Sequence, residues 1–309
     1  MDISQLRMLR ELDERGSIAS VASARLVTAS AISQQLSALQ SEFLVPLTEK
    51  RARRTVLTDA GRALVVAGLG IESSLAAARS AVDRFLDEPR GSVSVSAFHS
   101  AGLAWFGRLL DESGAELQLS DGDVSFDEFG RLTLDHDIVI AHRLAHGPDW
   151  PRDRLFVVPL LEEPIGVAVS SSHPLAACSS VTPPQLLAEE WVSVHSGFPL
   201  SELLTTIAAA AGAPLRVTHR VNEFFVATEL VRTGKAVALM PKHTMRGALS
   251  GGVTLLDIAG LSLARSIDAL VQPQALHRRA VRDTLTLLQQ IAASSTVSGE
   301  ASVSRLDSR

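Results

Sequence analysis

The chain of 309 residues is long enough for two domains. With 46% apolar and 20% charged residues, its composition predicts a packed protein and excludes a disordered one. The single cysteine excludes an internal disulfide and a zinc site built from several thiolates. The N-terminus is acidic where a signal peptide is basic, and no uncharged apolar run of about 18 residues occurs. We therefore expect a cytoplasmic protein without a membrane span.

The net charge of −5 is distributed unevenly along the chain. Residues 1–62 carry nine Arg or Lys against seven Asp or Glu, whereas residues 91–309 have a net charge of −6. Four of the five residues 50–54 are cations, a density that suits a polyanion such as the phosphate backbone of DNA. Because 26 of the 29 basic residues are arginine, the cluster alone leaves a solvated loop as the alternative.

The basic N-terminal segment is predicted to form three short helices, at about 2–14, 18–26 and 30–43, with Gly16-Ser17 separating the first two. The outer face of the third helix carries short polar, uncharged side chains: Ser30, Ser33, Gln34, Ser37 and Ser41. Such side chains hydrogen-bond base edges and phosphates in a major groove. A basic hairpin follows, so the segment is predicted to be a winged helix-turn-helix.

These residues resemble the DNA-binding domain of the LysR-type transcriptional regulators. The matching segments are 16–18, 22–26, 30–36, 45–47, Arg54 and 57–61. The resemblance implies that DNA is contacted by Thr28, Ser30, Ser33, Gln34, Ser37, Arg51, Arg53 and Arg54. Gln34 stands where the family usually has Arg, and an amide there favours adenine over guanine.

A long helix is predicted from Asp59 to about Asp87, ahead of Pro89. Its apolar residues alternate four and three apart, as in a coiled coil. The alternative is a helix that lies on its own domain. The resemblance favours self-association, as a dimer or a tetramer, because family members pair through this helix. The predicted dimerisation residues are Leu64, Ile71, Leu75, Val82 and Phe85.

From Gly91 onwards, short β-rich segments alternate with helical ones, which predicts largely parallel sheets covered by helices. The resemblance continues more loosely here and implies a two-lobed effector domain similar to periplasmic solute-binding proteins. The predicted fold is therefore α/β, with an N-terminal winged helix-turn-helix, a long linker helix and a C-terminal two-lobed, periplasmic-binding-protein-like effector domain. The predicted boundaries are 1–58, 59–90 and 91–293, with lobe I at 91–162 and 267–293, lobe II at 163–266, and a disordered tail at 294–309.

Ligands of parallel sheets bind beyond the carboxyl ends of the strands. The residues that follow three predicted strands are His99, Ser100, His142, Arg143, His195, Ser196 and Gly197. Three histidines and an arginine suggest an anionic effector, such as a carboxylate. In the family, a residue at the position of Ser100 often hydrogen-bonds the effector.

No catalytic motif, phosphate-binding loop or metal-ligand spacing is present in the sequence, so no catalytic residue, metal or cofactor is predicted. The predicted function is sequence-specific binding to double-stranded promoter DNA, modulated by a small molecule in the interlobe cleft. The alternative is a metabolite-binding protein or α/β enzyme with an accessory DNA-binding head.

Overall fold

The computed structural model describes residues 1–51, 54–83, 91–249 and 251–297. The N-terminal head contains three helices and a two-stranded antiparallel wing: α1 (Ile3–Arg15), α2 (Ile18–Ala24), α3 (Ala29–Gln40), β1 (Thr48–Arg51) and β2 (Arg54–Leu57). Local signals set these bounds. Ser17 and Thr28 accept hydrogen bonds as the N-caps of α2 and α3, and Gly16 ends α1 at a φ of 73°.

The linker helix α4 (Asp59–Asp83) packs along α1 of its own head. Gly68 lies so close that a Cβ there would be 3.3 Å from Leu6. The residues of the predicted coiled-coil seam therefore do not all face the same way. Leu64 packs against the core of the head and Leu75 is partly buried, whereas Ile71 and Val82 are exposed. Phe85 lies outside the described residues.

Asp59–Val82 of α4 is the one helical segment in the described part of the chain that passes a membrane-span test by length and composition. The sequence analysis expected no such segment. Glu72 interrupts it, is 4% exposed and lies 3.3 Å from Arg10 of α1. A buried carboxylate that pairs with a neighbouring helix is typical of a helix packed on protein.

The remaining elements form the two-lobed domain. They are β3 (Ser92–Ala97), α5 (His99–Glu112), β4 (Glu116–Asp121), α6 (Phe126–Leu132), β5 (Ile138–Leu144), β6 (Phe156–Ser170), β7 (Ser180–Val181), β8 (Glu190–Ser193), α7 (Leu200–Ala211), β9 (Arg216–Arg220), α8 (Phe224–Arg232), β10 (Val237–Pro241), α9 (Arg246–Leu249), β11 (Val253–Ile258), β12 (Ala264–Val271) and α10 (Arg279–Val297). Four of these elements were not predicted from the sequence: α6, β7, α9 and β11. The last predicted helix ends at 293, whereas α10 extends to Val297; residues 298–309 of the predicted tail lie outside the described residues.

Two long strands, β6 and β12, connect the lobes. In lobe I, β3 is parallel to β4 and β5, and β12 is antiparallel to both β5 and β6. In lobe II, β8 is parallel to β9 and β10, while β10 and β11 are antiparallel to β6. Glu162, Glu163 and Pro164 interrupt the apolar pattern of β6. Those residues lie where the strand passes from one lobe to the other.

The head also contacts lobe I through ion pairs. Arg154, in the loop before β6, lies 2.7 Å from Asp13 and 3.4 Å from Glu14 of α1. Arg15 pairs with Asp135 at 2.7 Å. Burial raises the pKa of Glu14, and Arg154 opposes that shift. The head is therefore joined to lobe I by α4 and also by side-chain contacts from α1.

Substitution of Gly61 by Ala should destabilise the head, since a Cβ at this position would lie 2.2 Å from the backbone oxygen of Leu47. Overpacking of this kind costs about 1–3 kcal/mol. The matched control is Gly107→Ala in α5, where a Cβ meets no atom within 4 Å and Ala is the better helix former by about 1 kcal/mol. Urea unfolding followed by circular dichroism measures both variants. Equal stability of the two variants would contradict the packing described here.

Candidate functional site

A narrow cleft lies between the lobes, and in this closed arrangement its cavity of about 20 Å³ holds little more than one water molecule. Lobe I contributes residues from the start of α5, the loop after β4 and the strand β5. Lobe II contributes the segment before α7 and the start of α8. The polar residues that line the cleft are His99, Ser100, Asp123, His142, Asn222, Glu223 and Arg265.

A buried ion pair forms the base of the cleft. Arg265 of β12 is 1% exposed, Glu163 of β6 is fully buried, and their charged groups approach to 2.7 Å. The other oxygen of Glu163 accepts hydrogen bonds from the backbone N–H groups of His243 and Thr244. Because burying a charge is costly unless it is paired and hydrogen-bonded, this arrangement supplies the partners that the carboxylate needs.

The same arginine connects the two lobes. Its Nη2 donates to Ser100 Oγ of lobe I at 2.9 Å and to Thr244 Oγ1 of lobe II at 3.0 Å. The guanidinium also lies over the ring of Phe98, 4.7 Å from its centroid. The position of Ser100 is therefore tied to the crossing point of β6 and β12.

His142 is 4% exposed and packs edge-on against Phe98 at 4.6 Å between ring centroids. Burial lowers the pKa of this imidazole, which keeps the ring neutral, while Asp123 at 3.9 Å partly opposes the shift. The buried Nδ1 atom has no hydrogen-bond partner. A polar atom that is buried beside a cleft without a partner is a natural contact for a ligand.

His99 lies between carboxylates of both lobes. Its Nε2 is 3.1 Å from Asp121 of lobe I, and its Nδ1 contacts Glu223 of lobe II. The contact with Glu223 joins the two sides of the cleft near its opening, where His99 is 34% exposed.

Three of the seven residues that the sequence suggested for the effector site line this cleft: His99, Ser100 and His142. Arg143 does not, because neighbouring residues of a strand point to opposite faces and its side chain turns to Asp268 at 3.3 Å. Arg143 and Gly197 line a separate depression, and His195 and Ser196 are exposed. Because Arg143 does not line the cleft, the strongest argument for an anionic ligand is lost. Within the described ranges, no group of three His, Cys, Asp or Glu could hold a metal ion.

Sequence reasoning missed several residues of the site: Glu163, Arg265, Asp123, Asn222 and Glu223. The sequence does contain a signal for the pair of Arg265 and Glu163. Arg265 stands next to a strongly apolar strand, and Glu163 interrupts another. Charges in such positions are rare unless they are paired.

The residues suggested for DNA binding lie on α3 and on the wing. Ser30, Ser33, Gln34 and Ser37 are exposed on α3, and Thr28 caps its N-terminus by accepting from the N–H of Ala31. The hydroxyls of Ser33 and Ser37 donate back to the helix backbone, which leaves their oxygens as acceptors. Arg51 and Arg54 are exposed on the wing, with Arg51 paired to Glu49, and Arg53 lies outside the described residues.

Residues 86–293 match the LysR substrate binding domain, and residues 3–62 match the bacterial regulatory helix-turn-helix protein family of the lysR type. The chain belongs to the LysR family of transcriptional regulators. It is therefore a regulator of the kind that binds DNA and responds to effectors in its substrate-binding domain, and it is not an enzyme.

Curated relatives and solved structures agree with this assignment. The Bacillus subtilis transcriptional dual regulator GltC is 26% identical over 249 residues, covering 79% of this chain and 82% of that protein. The HTH-type transcriptional regulator CbbR of Xanthobacter flavus is 27% identical over 274 residues, covering 85% and 80%. Full-length OxyR from Pseudomonas aeruginosa shares the fold with a TM-score of 0.64 at 15% identity, covering 94% of this chain and 98% of that one.

Removing one partner of the buried pair should destabilise this LysR-family protein strongly. Arg265→Met leaves the Glu163 carboxylate buried without its cation, a change that costs about 3–5 kcal/mol. The double variant Arg265→Met, Glu163→Leu should recover most of that loss, because two buried charges are replaced by apolar groups. Urea unfolding of the wild type, both single variants and the double variant measures the effect. A double variant as unstable as the sum of the two single variants would contradict the account.

Stability should also decrease in mild acid because of His142. Its pKa is lowered by burial, so the unfolded chain binds a proton near pH 6.5 while the folded chain remains neutral. The unfolding free energy therefore falls as the pH drops below about 6.5, by at most about 1.4 kcal/mol per pH unit for this group. His142→Gln removes the titrating group and should make the pH dependence shallower. Identical slopes between pH 7 and 5 would show that His142 is not responsible.

Proposed function

We propose that this regulator binds promoter DNA in the bacterial cytoplasm through α3 and the wing, and that a small molecule in the interlobe cleft changes that binding. The observation that carries the proposal is the combination of an exposed polar face on α3 with a cleft that contains a buried, unpaired His142 nitrogen. The face on α3 suits contacts to base edges, and the cleft offers an unpaired polar atom to a ligand that enters when the lobes move apart.

On α3, the exposed amide of Gln34 is the candidate for base recognition. An amide pairs best with adenine, whose N6 and N7 match its donor and acceptor. The exposed guanidinium of Arg54 on the wing suits a phosphate, which contributes affinity without sequence information.

Fluorescence anisotropy with DNA from upstream of the regulator's own gene tests this division of roles. Arg54→Ala should weaken binding to specific and scrambled DNA alike and lower the salt slope by about one. Gln34→Ala should change the preference at one base pair, by roughly 5- to 150-fold. Arg216→Ala, which removes an exposed arginine of lobe II, serves as the control and should bind as the wild type does. Equal affinity of the wild type for specific and scrambled DNA at all salt concentrations would refute the proposed function.

A continuous set of contacts links the cleft to the head and supports coupling between them. The Arg265–Glu163 pair fixes the middle of β6, and Arg154 lies two residues before that strand begins. Arg154 in turn contacts Asp13 on α1. A change in lobe angle would therefore move a contact of the head, which is how an effector could shift the population of DNA-binding states.

The outer face of α4 supports self-association. Val66, Ile71 and Val82 are 43–69% exposed, and small residues such as Ala63, Ala67 and Gly70 lie between them on the same face. An apolar helical stripe of this length is typical of an interface between helices. A dimer formed here would present two α3 helices to two DNA half-sites.

Sedimentation velocity tests the dimer. The wild type should sediment at twice the chain mass of 32.9 kDa or a multiple of it, and Ile71→Glu should shift it towards the monomer, since a carboxylate would be buried in the interface. Gln289→Glu on the exposed face of α10 introduces the same charge elsewhere and should leave the mass unchanged. An unaltered oligomer in Ile71→Glu would exclude α4 as the interface.

A further inference from the structure

The side-chain charges that face the cleft are mainly negative. Asp123 and Glu223 line it, together with His99, which contacts Glu223 and also Asp121 just outside the cleft. Asp123 is 20% exposed and has no Lys or Arg partner among the described residues. Two carboxylates therefore line the cleft, and neither pairs with a Lys or Arg among the described residues.

The positive groups at the cleft do not reverse this excess. Arg265 is paired with Glu163, and its Nη2 also donates to Ser100 and Thr244. The N-terminus of α5 contributes the equivalent of about half a positive charge, which is less than the full charge of the Asp123 carboxylate. The sequence suggested an anion because it identified the histidines and Arg143 but not the carboxylates opposite them.

The buried Nδ1 of His142 accepts a hydrogen bond from a donor when the ring proton lies on Nε2. Its Nε2 faces the Asp123 carboxylate at 3.9 Å, an orientation that favours the proton on Nε2. Nδ1 then carries a lone pair, is buried, and has no partner. Together with the free oxygens of Asp123, this creates a group of acceptors on the lobe I side of the cleft.

Aromatic rings complete the surroundings. Phe198 and Phe224 of lobe II line the cleft opposite these acceptors. The faces of aromatic rings attract cations, most strongly where water is excluded. Carboxylates and aromatic rings together form the usual environment of a bound organic ammonium group.

We propose that the effector carries a protonated amine or guanidinium group, which binds between Asp123 and Glu223 and donates a hydrogen bond to His142 Nδ1. This inference rests on the proposed function only in taking the cleft as the effector site. It specifies the chemical class of the ligand, an organic cation.

Isothermal titration calorimetry and thermal shift with the full chain test the inference, using probes paired by size: putrescine with succinate, agmatine with 5-aminovalerate, and phenethylamine with 3-phenylpropionate. At least one amine should bind and raise the melting temperature, whereas succinate and 3-phenylpropionate should not. Asp123→Asn keeps the shape of the side chain and removes its charge, so it should weaken amine binding about tenfold or more. Glu223→Gln should act in the same direction.

Glu229→Gln provides the matched control, because Glu229 lies on α8 but pairs with Arg232 away from the cleft. It should bind the amine as the wild type does. Stabilisation by the acids alone, no response to any amine, or equal amine affinity in Asp123→Asn and the wild type would overturn the inference. The proposed function is tested separately, because sequence-specific DNA binding is measured without any of these probes. A protein that binds specific DNA but is stabilised only by the acids would refute the cationic effector and leave DNA binding unaffected.

Discussion

The buried pair between Arg265 and Glu163 is the interaction on which the geometry of the two-lobed domain depends. Both charges are removed from water where β6 and β12 cross between the lobes. Charges buried this deeply persist only with full hydrogen bonding, which is provided here by Ser100, Thr244 and two backbone N–H groups. The pair therefore fixes the position of the residues that form the base of the cleft.

The effects of this constraint extend in both directions from the point where β6 and β12 cross between the lobes. On one side, it holds Ser100 and the start of α5 next to the buried imidazole of His142. On the other, it anchors the middle of β6, whose N-terminal end adjoins the Arg154 contact with the head. A ligand that changes the angle between the lobes would act on both sides of the same strand. Packed elements of this kind have discrete arrangements, so small shifts at the cleft can be passed on to the head.

The head could be predicted almost completely from sequence because its signals are local: N-caps at Ser17 and Thr28, a left-handed Gly16, and an uncharged polar face on α3. The site could be predicted only in part. Glu163 and Arg265 are 102 residues apart, and their pairing follows from the crossing of two strands that no local pattern indicates. The heptad pattern of α4 likewise did not show which of its residues face the head. They depend on α1, which covers the side of α4 that includes Leu64 and Gly68.

Hydrogen–deuterium exchange on the full chain tests the central claim, that the cleft and the head are coupled through the crossing of β6 and β12. Addition of a ligand that binds the cleft should slow amide exchange at the start of α5 and also change exchange in α1, where Asp13 contacts lobe I. Arg154→Ala should leave the response at α5 and weaken the response in α1, where the Arg15–Asp135 pair remains. Protection confined to the cleft, with α1 unchanged in the wild type, would contradict the account.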